Sequence, residues 1–380
     1  MSKKVPLSVI QKLQNNPTLV RNICILAHVD HGKTTLADGL ISSNGIISTR
    51  LAGEVRYMDS LEEEQNRGIT MKASSISLFF EDEKVITDEG TGEKSKKQVP
   101  YLINLVDSPG HIDFSSDVSA AVRLCDGCLV VVDAIEGVCT QTLTVLQQAF
   151  QEGVRPILII NKIDRLCVHL KQSPMAAYLH IRNIIEKVNA TISSLYTAEV
   201  IRNTSTTSYV IDSEKEEQLF VSPLTNTVLF ASAVHGWCFS LRQFADLYAP
   251  VLGINKAKLA KYMWGDFVYN AKTKSVSAWT PASKEPPIFV KMVLSTIWRV
   301  YKSVYKRNDE ALQAILDSLQ VSLSPREWKI ADPAVLVKTI MERWLPLYRA
   351  VLSFHVSTIV RDRGGGAGAS VACRRAENAL

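Results

Sequence analysis

The run Ala27-His28-Val29-Asp30-His31-Gly32-Lys33-Thr34-Thr35 concentrates groups that could do chemistry. It follows the apolar stretch Asn22-Ile23-Cys24-Ile25-Leu26 and has the form Ala-x4-Gly-Lys-Thr, with Ala27 where such a pattern usually starts on Gly. A strand–turn–helix junction of this kind points backbone N–H groups inward. With the positive end of the helix dipole behind them, they cradle phosphate oxygens. Lys33 would reach the terminal phosphates and the Thr34 hydroxyl would hold Mg²⁺. The implied ligand is a nucleoside triphosphate.

A second motif selects the base. Asn161-Lys162-Ile163-Asp164 follows the apolar run Pro156-Ile157-Leu158-Ile159-Ile160. A carboxylate at Asp164 can accept two parallel hydrogen bonds from guanine N1–H and its exocyclic amine, a pair that adenine cannot offer. Asn161 would brace the loop and meet the base edge, and the Lys162 stem would lie on the base face. Ser232-Ala233, after the apolar run ending at Phe230-Ala231, would turn backbone amides toward the guanine O6.

A third motif, Asp107-Ser108-Pro109-Gly110-His111, closes the run Tyr101-Leu102-Ile103-Asn104-Leu105-Val106. Asp107 stands where a Mg²⁺-associated carboxylate belongs, and the Gly110 amide would touch the γ-phosphate. His111 reads either as an exposed loop histidine or as the residue that orients the attacking water, and the second reading is preferred. Upstream, Arg67-Gly68-Ile69-Thr70 places Thr70 to report the γ-phosphate through Mg²⁺; order in such loops is lost once that phosphate leaves. His28 and His31 read as phosphate-loop positions rather than metal ligands. Asp30 reads equally as a turn former or a cation ligand.

Elements alternate around these motifs. Strands are expected at 22–27, 74–81, 101–106, 128–133, 156–160 and 227–231. Helices are expected at 33–42, 114–125, 140–151 and near 174–197. That alternation implies an α/β fold, a mostly parallel sheet with helices on both faces and ligand loops at the carboxyl ends of the strands. Residues 88–98 read as a hairpin tip, and 202–218 as a polar surface insertion without fixed structure. From 241 to 335, helices are expected at 254–263, 295–305 and 308–319. Trp264-Gly265-Asp266-Phe267 and Phe289-Val290-Lys291-Met292-Val293-Leu294 read as strands or turns. A single helix is expected over 335–352, and the Gly/Ala/Arg-rich stretch beyond 361 lacks periodicity.

The 380 residues, 46% hydrophobic and 21% charged, describe a globular protein large enough for two or three domains. The net charge of +5 is compatible with an RNA-rich partner. Seven cysteines, an odd number irregularly spaced, do not make a disulfide framework. Cys125-Asp126-Gly127-Cys128 resembles half a zinc site, but two buried thiols are the simpler reading. The start Met1-Ser2-Lys3-Lys4 leads into no apolar signal region, and no apolar run is long enough to span a bilayer. A cytoplasmic protein is expected.

The four motifs in this order resemble the GTP-binding half of the translation elongation factor 2 family. The likeness continues through Ser232-Ala233-Val234-His235-Gly236-Trp237, Met263-Trp264-Gly265-Asp266 and Arg343-Trp344-Leu345-Pro346, covering roughly 17–353. Ile41-Ser42-Ser43-Asn44-Gly45-Ile46-Ile47-Ser48, Arg56-Tyr57-Met58-Asp59-Ser60 and Ile135-Glu136-Gly137-Val138-Cys139 are most similar to its elongation-factor-like branch of 60S-subunit maturation.

The resemblance implies a P-loop GTPase with an inserted α+β subdomain. Its expected parts are an N-terminal extension (1–16), the GTP-binding domain (17–240), the insert (241–335), a returning helix (336–360) and a divergent tail (361–380). It implies that GTP and GDP bind with Mg²⁺, the metal on Thr34, Thr70 and Asp107. Lys33, Thr70 and His111 would be catalytic, with Val29 and Ile69 as an apolar gate around the water. It also implies a monomer that acts on the large ribosomal subunit and its rRNA. With the Shwachman–Bodian–Diamond protein as partner, it would evict an anti-association factor from pre-60S particles. Family members continue after Ser353 through Leu-Pro-Ser-Pro into four further domains, where this sequence has Arg361-Asp362-Arg363-Gly364 and onward. Two alternatives stand beside this reading: an elongation factor 2-type translocase, and a GTP-binding module without ribosomal action.

Overall fold

The computed structural model describes residues 5–48, 51–53, 55–67, 70–87, 94–110, 115–203, 212–270 and 275–354. They fall into two compact units. The first holds residues up to Val131, 140–156 and those from Val351; the second holds 132–139 and 157–350.

In the first unit, α1 (Leu7–Gln14) leads to β1 (Val20–Ala27), α2 (Lys33–Ser43), the short α3 (Glu62–Arg67), β2 (Ser74–Thr87), β3 (Lys94–Asp107), α4 (Ser115–Leu124), β4 (Gly127–Asp133, whose last two residues enter the second unit) and α5 (Thr140–Gln151). The strand order is β2-β3-β1-β4. β1 runs parallel to β3 and β4, and β2 pairs antiparallel with β3. Ile23, Ile25, Leu26 and the whole of β4 are buried, as expected of near-continuous apolar strands in a parallel sheet. Leu36 and Leu40 of α2 join that core. The register sets Ile25 beside Asp107 and Ala27 beside Val131. The turn after β1 and the loop after β3 therefore emerge together.

The second unit contains β5 (Pro156–Asn161), α6 (Ile163–Val168), the 30-residue α7 (Pro174–Asn203), α8 (Ser213–Leu219), β6 (Val228–Ser232), β7 (Trp237–Phe239), α9 (Leu241–Leu252), α10 (Lys256–Tyr262), β8 (Phe267–Asn270), β9 (Ser275–Ala278), a π-helical stretch Phe289–Leu294, α11 (Ser295–Tyr305), α12 (Asp309–Leu319) and α13 (Pro333–Trp344). β5 and β6 are parallel, Ile160 beside Phe230, and β6 and β7 form a hairpin. Phe230, Tyr178, Trp264 and Phe289 pack in T-shaped and tilted pairs with ring centroids 4.9 to 5.8 Å apart. This aromatic cluster joins β6 to α7, the turn at Trp264 and the π-helical stretch.

Several expectations give way. Phe289–Leu294 is helical, not extended: five of its six residues are buried, so it shows no polar face from which a helical period could be read. The helix expected over 335–352 stops at Trp344. Pro346 has no N–H to continue it, and the chain there bridges to Trp237, with Leu345 O accepting from Cys238 N, before a helical stretch over 347–354. The hairpin strands run on to Thr87 and from Lys94, shortening the expected tip. Within the expected insertion, α7 reaches Asn203 and 213–219 is α8. Residues 204–211 and the tail lie outside the described residues. Cys125 and Cys128 are buried free thiols.

Phe289→Ala should lower unfolding stability by about 3–5 kcal/mol, because it leaves a cavity among the three rings of Tyr178, Phe230 and Trp264. Chemical denaturation measures this, and a loss below about 1 kcal/mol would mean the cluster is not a core.

Candidate functional site

The two ends of the expected nucleotide site are built separately. In the first unit, the turn after β1 takes left-handed backbone at Asp30 (φ 61°) and at Gly32 (φ 90°), the residue capping α2. Asp tolerates that conformation, which favours the turn reading of Asp30. The His31 N–H donates to the His28 carbonyl at 3.2 Å, and the Val29 N–H to Gln141 Oε1 at 3.2 Å. The His31 ring is buried, its Nδ1 3.4 Å from the Val131 carbonyl and its ring edge against His28, so it braces the turn. Ser108 Oγ donates to the Ile25 carbonyl at 2.8 Å. A Cβ on Gly110 would stand 3.4 Å from the Ala27 carbonyl and 3.8 Å from the Val29 nitrogen, so that loop runs tight against the phosphate turn.

Lys33, Thr70 and Asp107 are brought into one buried cluster. The Lys33 ammonium donates to Asp107 Oδ1 at 2.7 Å and to Thr70 Oγ1 at 2.9 Å. Burial pushes the Asp107 carboxyl above its ordinary range, and Lys33 opposes this. Asp107 Oδ2 is buried with no hydrogen-bond partner among the described residues. Thr70 Oγ1 donates in turn to Asp59 Oδ1 at 2.7 Å, and Asp59 Oδ2 accepts from Arg56 Nε at 2.7 Å.

Three carboxylates that motif reading misses organise this end. Asp59 holds Thr70. Asp38, fully buried on α2, accepts the backbone N–H groups of Gly53, Arg56 and Tyr57 at 3.2, 3.0 and 3.0 Å. Glu64 accepts those of Leu61, Met71 and Lys72. Burial raises the Asp38 pKa against these three donors. A lone acid between Ala37 and Leu40, on the apolar side of α2, was the one signal available for Asp38. His111, Gly68 and Ile69 lie outside the described residues.

In the second unit, Lys162 takes left-handed backbone (φ 62°) at the start of α6 and pairs with Asp133 Oδ2 at 2.8 Å. Asn161 Oδ1 accepts the Ala233 N–H at 2.9 Å, tying the Asn-Lys-Ile-Asp loop to the Ser232-Ala233 loop. Asp164 Oδ1 is buried with no partner among the described residues, and Oδ2 lies 4.0 Å from His235 Nδ1. Asn161, Asp164, Ser232 and Ala233 thus converge as expected. Asp133, His235 and Tyr301 were not foreseen.

A phosphate turn ending in Gly-Lys-Thr, a Lys33-bound Asp107 and an Asn-Lys-x-Asp base loop define a P-loop GTPase. The chain belongs to the elongation factor Tu GTP binding domain family, which matches residues 18–318. It is 48% identical over 361 residues to the human protein named elongation factor-like GTPase 1, covering 90% of this chain and 31% of that one. It is 46% identical over 351 residues to ribosome assembly protein 1 of Schizosaccharomyces pombe, covering 92% and 34%. This chain therefore spans about a third of the length of those relatives. No helix among the described residues is long and apolar enough to cross a membrane.

Asp38→Ala strips the acceptor from three N–H groups at once. Amide exchange at Gly53, Arg56 and Tyr57 should quicken at least tenfold, with about 1–3 kcal/mol lost in stability. Exchange mass spectrometry that finds this loop unchanged would remove Asp38 as its anchor.

Proposed function

We propose that this chain binds and hydrolyses GTP in the cytoplasmic maturation of the large ribosomal subunit. The site observation that supports guanine is the buried, unpartnered oxygen of Asp164 beside a loop held by Asn161. The ribosomal role is supported by 46% identity to a ribosome assembly protein. By the family resemblance, the work done is release of an anti-association factor from pre-60S particles, with the Shwachman–Bodian–Diamond protein as partner and rRNA in contact.

The phosphates would lie against the backbone N–H groups of Ala27, His28, Val29, Asp30, His31, Gly32, Lys33, Thr34 and Thr35, and against Asp107, Ser108, Pro109 and Gly110. The base would meet Asn161, Lys162, Ile163, Asp164, Ser232 and Ala233. The hydroxyls of Thr34 and Thr70 and the orphaned Asp107 Oδ2 are hard oxygen donors, the set that suits Mg²⁺. Held by these residues, Mg²⁺ would supply positive charge to offset the phosphates. Lys33 would exchange Asp107 for phosphate oxygens and offset charge growing on the β–γ bridge. His111 would orient the water that attacks the γ-phosphorus as the bond to the bridging oxygen breaks, giving GDP and phosphate.

Asp164→Asn should shift preference from GTP to XTP. Two charge-assisted bonds at about 1.5–3 kcal/mol each put the loss of GTP affinity at a hundredfold or more. Titration with both nucleotides checks this, and retained GTP selectivity refutes the base contact. His111→Ala should keep GTP affinity and lower hydrolysis stimulated by 60S subunits by about a hundredfold or more. Phosphate release at the unmodified rate would count against the water-orienting role.

A further inference from the structure

We propose that Tyr301 is a positioning residue for base selection: its hydroxyl engages Nδ1 of His235 and so keeps His235 from pairing with the Asp164 carboxylate. The inference rests on the reading of Asp164 as the guanine ligand.

Tyr301 lies on α11 and is 1% exposed; His235, in the turn between β6 and β7, is 6% exposed. The Tyr301 hydroxyl oxygen is 2.7 Å from His235 Nδ1 and 2.9 Å from Trp237 Nε1. An indole N–H can only donate, so it occupies a lone pair of the phenol oxygen and leaves the phenol its own proton to give. Ser232 also hydrogen-bonds this hydroxyl, and with its O–H and the indole N–H donating to the two lone pairs, the phenol proton goes to His235 Nδ1. A neutral imidazole that accepts at Nδ1 carries its hydrogen on Nε2, which assigns the tautomer by proton counting.

Protonation states agree with this count. Burial pushes the Tyr301 pKa well up, and the charge on Asp164 adds to it, so the hydroxyl keeps its proton. Burial pushes the His235 pKa down. Lys338 and His169 act in the same direction, while Asp164 and Asp332 oppose. His235 is therefore uncharged at neutral pH. A proton on Nδ1 would aim an imidazolium at Asp164 Oδ2 from 4.0 Å and compete with the guanine N–H pair for that carboxylate. With the phenol proton occupying Nδ1, the Asp164 oxygens are left to the base.

Tyr301→Phe keeps the ring and removes the hydroxyl. Nδ1 can then take a proton toward Asp164, so the His235 pKa should rise. Binding of fluorescent GDP to the full chain between pH 8 and pH 6 reads the effect. The wild-type dissociation constant should change less than about twofold. Tyr301→Phe should weaken about tenfold toward pH 6, the equivalent of one pKa unit. The double variant Tyr301→Phe/His235→Phe should be flat again. A flat Tyr301→Phe profile in a guanine-selective chain overturns this inference alone, as does a loss equal at every pH with a lowered melting temperature. Absence of guanine preference in the wild type overturns the base reading and this inference with it. Should Tyr301→Phe not fold, nitrogen-15 NMR of wild-type His235 decides: a neutral Nε2–H ring supports the proposal, and Nδ1–H or imidazolium overturns it.

Discussion

A lysine ammonium and an aspartate carboxylate, both withdrawn from water, meet at 2.7 Å where β1 and β3 end. Burying such a pair costs several kcal/mol per ion, and a well-packed apolar pair would often be as stable. Stability alone does not account for Lys33 and Asp107. What the pair does is hold a concentrated positive charge, a hydroxyl and an unpartnered carboxylate oxygen at one point of the phosphate turn. The parallel register of β1 with β3 sets Asp107 beside Ile25, so the loop after β3 and the turn that carries Lys33 emerge at the same end of the sheet.

The same logic recurs wherever a backbone must be held without a regular element. Asp38 and Glu64 each gather three backbone N–H groups from the segments on either side of Thr70. Backbone amides outside regular elements would otherwise be left to water. Carboxylates satisfy many donors at once and can release them without breaking a helix or strand.

In the second unit, the work falls to aromatics. Phe230, Phe289, Trp264 and Tyr178 interlock β6, α7, the turn at Trp264 and the π-helical stretch. Their packing brings α11, and with it Tyr301, against His235 and Trp237. α11 thereby meets the turn between β6 and β7 through hydrogen bonds as well as bulk.

The amino-acid order alone determined the turn after β1, the loop after β5 and most strands and helices, because each is a local signal: apolar runs ending in Gly-Lys-Thr or Asn-Lys-Ile-Asp need no distant partner to be read. It even placed α5 and α11 to the residue. The π-helical stretch at Phe289 was illegible because a segment buried on nearly every side has no polar face to show its period. The break before Pro346 turned on bridging to Trp237, a contact remote in sequence. Asp38, Asp59, Glu64, His235 and Tyr301 look like ordinary polar residues in the chain. Only the tertiary fold made them part of the site, since hydrogen-bond geometry between segments far apart in the sequence is decided by packing and leaves no mark on local spacing.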